Sequence, residues 1–238
     1  MTIPQIAAYT LIPCLALLVG SLLATLKEPG RSIRAAIQHM AAGIVFAAVA
    51  IELLPEVLAP HHTLAMVVGF GTGVAAMLAL RQLVGHGDDE GTSRSGLPGG
   101  LLLTLAIDLL VDGMLVGIAF ATGAEQGWVI TLALTLEVLF LGLSATVSLT
   151  ARGISTTQTL LVSLGLASLV LVGSTGGALI AGRAQGQVFT AMLAFGVAAL
   201  LYLVTEELLV EAHEGTEHEA PWVTAAFFSG FLLVLLLG

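Results

Sequence analysis

Three acidic residues lie in the middle of long apolar runs, where ionisable side chains are rare. Asp108 and Asp112 are near the centre of one run, and Glu137 is near the centre of the next. Residues four positions apart share one face of a helix, so the two aspartates point the same way. Because only the short loop 122–127 joins the two runs, the sequence predicts an antiparallel helix pair whose three carboxylates converge at one depth.

Carboxylate oxygens gathered in this way are ligands for a divalent cation such as Mg²⁺, Ca²⁺, Mn²⁺, Fe²⁺ or Zn²⁺. Each acid at the centre of a membrane costs about 2.5–3.5 kcal/mol, so three cost on the order of 10 kcal/mol. No Lys or Arg lies at that depth, so protons, water or a cation must compensate the charge. We expect a cation; protonated carboxyls bonded to neighbouring helices are the alternative. No His or Cys lies nearby in either run, which weakens a strongly zinc-selective interpretation.

Five further residues with metal-ligating side chains mark a predicted route for the ion. Glu52 lies towards the outer end of the second apolar run, and His39 lies near the inner end of that run. Glu206, Glu207 and Glu211 lie at the inner end of the seventh run. For Glu211, at the end of its run, the alternative is simple solvation at the membrane interface.

The glycines that follow the acids are predicted to bring helices together. Gly113 and Gly117 are spaced as G-x-x-x-G, a spacing that allows close helix approach in membranes. We expect Gly142 of the next run to face them and to make the carboxylate site compact. Ordinary membrane packing is the alternative role of these glycines.

The overall composition places these residues in a membrane protein. The chain has 238 residues, of which 57% are hydrophobic and 10% charged, and its mean hydropathy is +1.04. A soluble domain has about a quarter charged residues, so a water-soluble globule is excluded. The net charge of −9 leaves no basic surface for phosphate, which excludes nucleic acid as a partner.

Eight apolar runs are long enough to span a bilayer, which needs about 20 residues. They cover residues 4–26, 35–58, 63–85, 98–122, 128–151, 157–182, 187–211 and 220–238. The sequence therefore predicts an all-α integral membrane protein with eight transmembrane helices in a single domain, residues 1–238. The longest polar stretch, about residues 86–97, is predicted to be a cytoplasmic loop.

The basic residues set the predicted orientation, since acids count little. With the N-terminus outside, six of the seven basic residues fall on the cytoplasmic side, namely Lys27, Arg31, Arg34, Arg81, Arg94 and Arg152. Only Arg183 then falls outside. We therefore expect both termini to be extracytoplasmic in the plasma (inner) membrane, with the lipid bilayer as a partner.

An internal similarity predicts an inverted repeat. The second run ends Glu52-Leu-Leu-Pro-Glu56 and the seventh ends Glu207-Leu-Leu-Val-Glu211, although the two runs cross in opposite directions. This favours a 3+2+3 arrangement in which helices 1–3 and 6–8 are inverted copies, as in alternating-access transporters. Chance similarity between apolar sequences is the alternative.

With these residues identified, most of the chain resembles the ZIP (Zrt/Irt-like) family of divalent-metal transporters, its bacterial branch in particular. The stretches 39–56 and 202–213 are similar to the second and seventh helices of that family. Asp108-Leu-Leu-Val-Asp112-Gly113 has the spacing of the family's His-Asn-x-x-Glu/Asp-Gly motif, with Asp108 in place of the His.

The chain departs from the family at several ligand positions. Val138 and Leu141 replace the usual ligands of the fifth helix, Leu109 replaces an Asn, and Ser174 falls where many members carry a Glu. The resemblance implies a two-metal centre, whereas these replacements favour one oxygen-rich site.

The resemblance also implies a function. It implies uptake of zinc, manganese, iron or cadmium ions into the cytoplasm by alternating access, by a homodimer that is not an enzyme. The alternative is a non-transporting metal sensor or membrane scaffold of the same fold. An intramembrane protease is disfavoured, because there is no H-E-x-x-H motif and two aspartates on one helix are wrongly placed for a catalytic dyad.

Overall fold

The computed structural model describes residues 2–26, 30–85, 99–210 and 221–237, and all regular structure in these ranges is helical. The helices are α1 (Ile3–Leu26), α2 (Arg31–Ala48), α3 (Leu54–Leu58), α4 (Thr63–Gly85), α5 (Gly99–Thr122), α6 (Ala124–Ala151), α7 (Thr156–Ala181), α8 (Gln187–Tyr202) and α9 (Pro221–Leu237). Two π-helical segments complete them: π1 (Val49–Leu53) continues α2 into α3, and π2 (Leu203–Leu208) continues α8.

The helices coincide closely with the predicted apolar runs. Seven helical stretches in the described part of the chain are long and apolar enough to cross a membrane, and the last helix is a shorter apolar one. An all-helical protein with seven to eight long apolar helices is therefore established. The predicted cytoplasmic loop, about residues 86–97, lies outside the described residues.

The helices pack as two groups. In the first, which we call the site bundle, α5 packs along α7, α1 packs along α6 and α7, and α5 contacts α6. In the second, the flanking bundle, α2 packs along α9 and α4 packs along α8. The most extensive contact between the two bundles joins α2 to α6.

Glycine determines the closest contacts between α5 and α7. A Cβ added to Gly113 would overlap the carbonyl oxygen of Val170, and one added to Gly173 would overlap that of Leu110. Small residues allow this approach in membranes, where dispersion and polar contacts rather than hydrophobic burial hold helices together. Any larger side chain at these positions must push the two backbones apart.

The same kind of contact joins α1 to α6. An added Cβ at Gly20 would overlap the carbonyl oxygen of Leu139, and one at Gly142 would overlap that of Leu17. The prediction that Gly142 faces Gly113 is therefore wrong. Each turn of a helix takes 3.6 residues, so Gly142 lies about 140° around α6 from Glu137, and the face that meets α1 differs from the face that meets α5.

The two π segments have the same hydrogen-bond geometry, but a cause in the sequence is identifiable only for π1. In π1 the amide of Leu54 donates to the carbonyl of Val49, five residues back rather than four. Pro55 follows directly; it has no N–H and its ring would clash with a carbonyl four residues back, which explains the shift. In π2 the amide of Leu209 donates to Val204 in the same way, although no proline follows. The hydrophobic pattern of the sequence predicts neither segment.

Candidate metal centre

The structure brings Asp108, Asp112 and Glu137 together. One carboxylate oxygen of each lies within 4.8 Å of those of the other two. Asp112 and Glu137 are almost completely buried, at 1% and 4% exposure, whereas Asp108 is partly exposed. In the described part of the chain no other group of three His, Cys, Asp or Glu side chains converges in this way.

The local sequence explains this convergence. Asp108 and Asp112 are one helical turn apart on α5, so their side chains lie one above the other. Gly123 is the single residue between α5 and α6, so the chain reverses abruptly and the two helices run antiparallel from that point. Glu137 on α6 is thereby brought to the depth of the two aspartates.

The spacing suits one ion. Two ligand atoms of one cation are separated by at most twice the metal–oxygen distance, about 4 to 5 Å for Mg²⁺ or Ca²⁺. One oxygen of each residue lies within 4.8 Å of the other two, which is inside the limit for Ca²⁺, and a small inward movement of the side chains brings them inside the limit for a smaller ion. Three carboxylates also supply a formal charge of −3, and the described arginines all lie at or near helix ends. The group is therefore suited to hold a divalent cation.

Two more of the predicted ligands are buried but lie outside this group. His39 on α2 is 2% exposed, and its Nδ1 is 2.9 Å from the carbonyl oxygen of Ala35. A carbonyl only accepts, so Nδ1 is the donor, and in the neutral ring Nε2 is the basic nitrogen. Glu52 is buried within π1. Neither belongs to the three-carboxylate group.

Glu206 has a partner that the sequence analysis did not identify. Its Oε2 lies 2.7 Å from Nη1 of Arg81, which joins π2 to α4. In the sequence Arg81 served only as an indicator of membrane orientation. The side chain of Glu207, and the whole of Glu211, lie outside the described residues.

The positions that depart from the ZIP pattern are structural in this protein. Val138 is fully buried and Leu141 partly buried, both against other apolar side chains. The Ser174 hydroxyl donates to the carbonyl of Leu171 in its own helix, at 3.2 Å. Its own carbonyl lies against Gly117, so Ser174 serves the α5–α7 contact.

No relative is identified among protein families or among curated proteins. No protein-family model matches the chain. No curated protein matches it significantly in sequence. The likeness to the ZIP family therefore rests on the motifs quoted above, and the chemistry of the centre rests on the three carboxylates themselves.

Proposed function

We propose that this protein is a ZIP-like transporter that carries divalent metal cations, of the zinc, manganese or iron class, into the cytoplasm. The observation that carries the proposal is the convergence of Asp108, Asp112 and Glu137 in the middle of two adjacent apolar helices. A charge of −3 at that place is costly unless a cation compensates it. We place the protein in the plasma (inner) membrane as a homodimer, with both termini extracytoplasmic.

The proposed architecture is eight spans in a 3+2+3 arrangement with inverted repeats, and the packing supports it. Exchanging spans 1, 2 and 3 with spans 6, 7 and 8, and span 4 with span 5, converts the four most extensive helix contacts into one another and leaves the α1–α7 and α5–α6 contacts unchanged. The α2–α6 contact, by comparison, corresponds to a much smaller contact between α5 and α8. The pairing of α5 with α7 becomes that of α6 with α1, and the pairing of α2 with α9 becomes that of α8 with α4.

The glycine contacts support the same repeat at the level of residues. The α1–α6 interface uses two glycines and two carbonyl groups, and the α5–α7 interface uses four of each; the carbonyl group always lies three residues before a glycine of the same helix. Aligning Gly142 with Gly113 places Asp108 opposite Glu137 and Asp112 opposite Leu141. Aligning it with Gly117 instead places Asp112 opposite Glu137 and Asp108 opposite Ala133. The two middle helices thus supply equivalent ligands, and the fourth position is apolar, which favours a single ion.

The positions of the two π segments also support the inverted repeat. Their hydrogen bonds link Val49 to Leu54 and Val204 to Leu209, at the same place relative to the repeated Glu-Leu-Leu sequence. Such π segments occur frequently at functional sites.

The proposed mechanism is alternating access. The ion enters from outside past Glu52, binds the three carboxylates, and leaves past His39, Glu206 and Glu207. All three carboxylates belong to the site bundle, so movement of this bundle against the flanking bundle exposes them to one side at a time. Binding must offset dehydration of the ion yet remain weak enough for release.

Uptake into proteoliposomes tests this proposal. Purified protein is reconstituted, and Mn²⁺ uptake is measured in competition with Zn²⁺, Fe²⁺, Cd²⁺ and Mg²⁺. We expect uptake by the wild type, its loss in Asp112→Asn, and its retention in Arg183→Gln, which removes an exposed charge in the loop between α7 and α8. Wild-type vesicles that take up no more metal than empty ones contradict the proposal.

The second candidate function is a non-transporting metal sensor or scaffold. The apolar side chains at Val138 and Leu141, where the resemblance implies ligands, favour it. Metal binding to detergent-purified protein without flux in vesicles supports this function over transport.

A further inference from the structure

The two π segments share a hydrogen-bond pattern but differ at one decisive position. Pro55 directly follows Leu54, the donor of the i−5 hydrogen bond of π1. Val210 directly follows Leu209, the corresponding donor of π2. A π segment holds one residue more than the α-helical turn that would replace it, because its hydrogen bonds reach five residues back rather than four. Converting it into a regular α-helix, which we call closing, therefore turns the following chain by about 100° and moves it by about 1.5 Å.

Pro55 disfavours conversion of π1 into a regular α-helix. In a regular α-helix the residue at position 55 would donate to the carbonyl of Ile51, but proline has no N–H and its ring clashes with that carbonyl. Closing π1 therefore gains no hydrogen bond there and adds a steric conflict. The π form is the favoured form of this segment.

Val210 imposes no such restriction on π2. Its N–H can donate to a carbonyl four or five residues back, so residue 210 itself does not exclude the α form. Val210 is also exposed at the end of the described helix, whereas Leu208 is buried in the core, so closing the segment requires Leu208 to repack.

One contact from outside the helix is made by a residue of π2. Glu206 lies within π2, and its Oε2 bonds Nη1 of Arg81 at 2.7 Å. Arg81 is on α4, which packs along α8 and thus provides a fixed reference. Closing the segment turns Glu206 around the axis and away from Arg81, so the ion pair is specific to the π form.

We propose that π2 is a register switch, held in its π form by the Arg81–Glu206 ion pair and able to close into a regular helix when that pair breaks, whereas π1 is locked by Pro55. Closing turns the chain from Glu206 onward by about 100°. Under the proposed transport function, on which this role rests, the switch controls release of the ion at the inner end of the route.

Two variants with opposite expected effects test the switch without any transport measurement. Val210→Pro copies Pro55 and locks π2, and Arg81→Gln removes the contact that favours the π form. Backbone hydrogen–deuterium exchange is followed by mass spectrometry on peptides that cover 203–210 and 49–54. In the wild type we expect faster exchange in 203–210 than in 49–54.

We expect Val210→Pro to slow exchange in 203–210 at least fivefold and Arg81→Gln to accelerate it at least fivefold. Arg183→Gln, at the opposite end of the bundle, is the charge-matched control and leaves exchange unchanged. Equal exchange in the two wild-type segments, or no response to Arg81→Gln, overturns the proposal. If Val210→Pro does not fold, the exchange of 203–210 in Arg81→Gln tests the proposal by itself.

The role in transport is tested separately with Mn²⁺ as the probe. We expect Val210→Pro to bind Mn²⁺ like the wild type but to lose at least tenfold in flux, whereas Arg183→Gln keeps its flux. Wild-type flux in folded Val210→Pro overturns the role in release. Absence of flux in the wild type itself contradicts the transport function, while the exchange measurements still decide the switch.

Discussion

Gly113 of α5 lies so close to Val170 of α7 that a single added methyl group would overlap the carbonyl oxygen of Val170. Asp112 is the residue before Gly113 and is 1% exposed. The tight contact between α5 and α7 therefore holds one ligand of the candidate metal centre in place. Substitution of this glycine affects both the stability of the fold and the binding of the ion.

Gly113→Ala should destabilise the protein by about 1–3 kcal/mol, because the added methyl overpacks a backbone contact. Gly176→Ala is the matched control: an added Cβ there meets nothing within 4 Å, and alanine favours helix. Cys14 is the only cysteine and is buried, so thermal unfolding is followed by its reaction with a thiol dye. Equal unfolding temperatures for the two variants would show that the contact is not tight.

Asp112→Asn should weaken Mn²⁺ binding on the order of a hundredfold, since it removes one of three charged ligands. The same change should raise stability in the presence of a chelator, because a buried charge is lost. Mn²⁺ should then raise the unfolding temperature of the wild type and of Glu125→Gln but not of Asp112→Asn. A metal-dependent increase in all three proteins would place the ion elsewhere.

Metal binding should weaken as the pH falls. Carboxylates bind a cation only when deprotonated, so protons compete with the metal and are released when it binds. The increase in unfolding temperature caused by Mn²⁺ should therefore shrink from about pH 8 to about pH 5. An unchanged or larger increase at the lower pH would be inconsistent with carboxylate ligands.

Leu141→Glu should add a fourth ligand, since Leu141 on α6 is opposite Asp112 on α5 when the proposed repeat aligns Gly142 with Gly113. We expect tighter Mn²⁺ binding in titration calorimetry, and lower stability in chelator because four carboxylates repel one another. Leu132→Glu, at a position 45% exposed on the same helix, is the control and should not change affinity. Equal affinities for Leu141→Glu and the wild type would argue against the alignment of α5 with α6.

The membrane-spanning helices are predictable from the sequence because a span requires a long, continuous run of apolar residues. About 20 apolar residues are needed to span, so the runs that contain Asp108 and Glu137 are recognisable as helices without any tertiary information. The four-residue spacing of Asp108 and Asp112 places both on one face for the same local reason. The repeated Glu-Leu-Leu sequence likewise indicates two related segments before any contact is known.

Tertiary structure alone decides which neighbour each face meets. Spacing defines the angle between Glu137 and Gly142 around α6, but not that one faces α5 and the other α1, because several apolar neighbours are equally acceptable to a helix in lipid. The same holds for the two bundles and for the ion pair between Arg81 and Glu206, residues far apart in the chain. The π form of residues 203–208 also depends on contacts from outside the segment, since no proline follows it. Local sequence thus determined the helices and the depth of the acids, and packing between helices determined which of them form one centre.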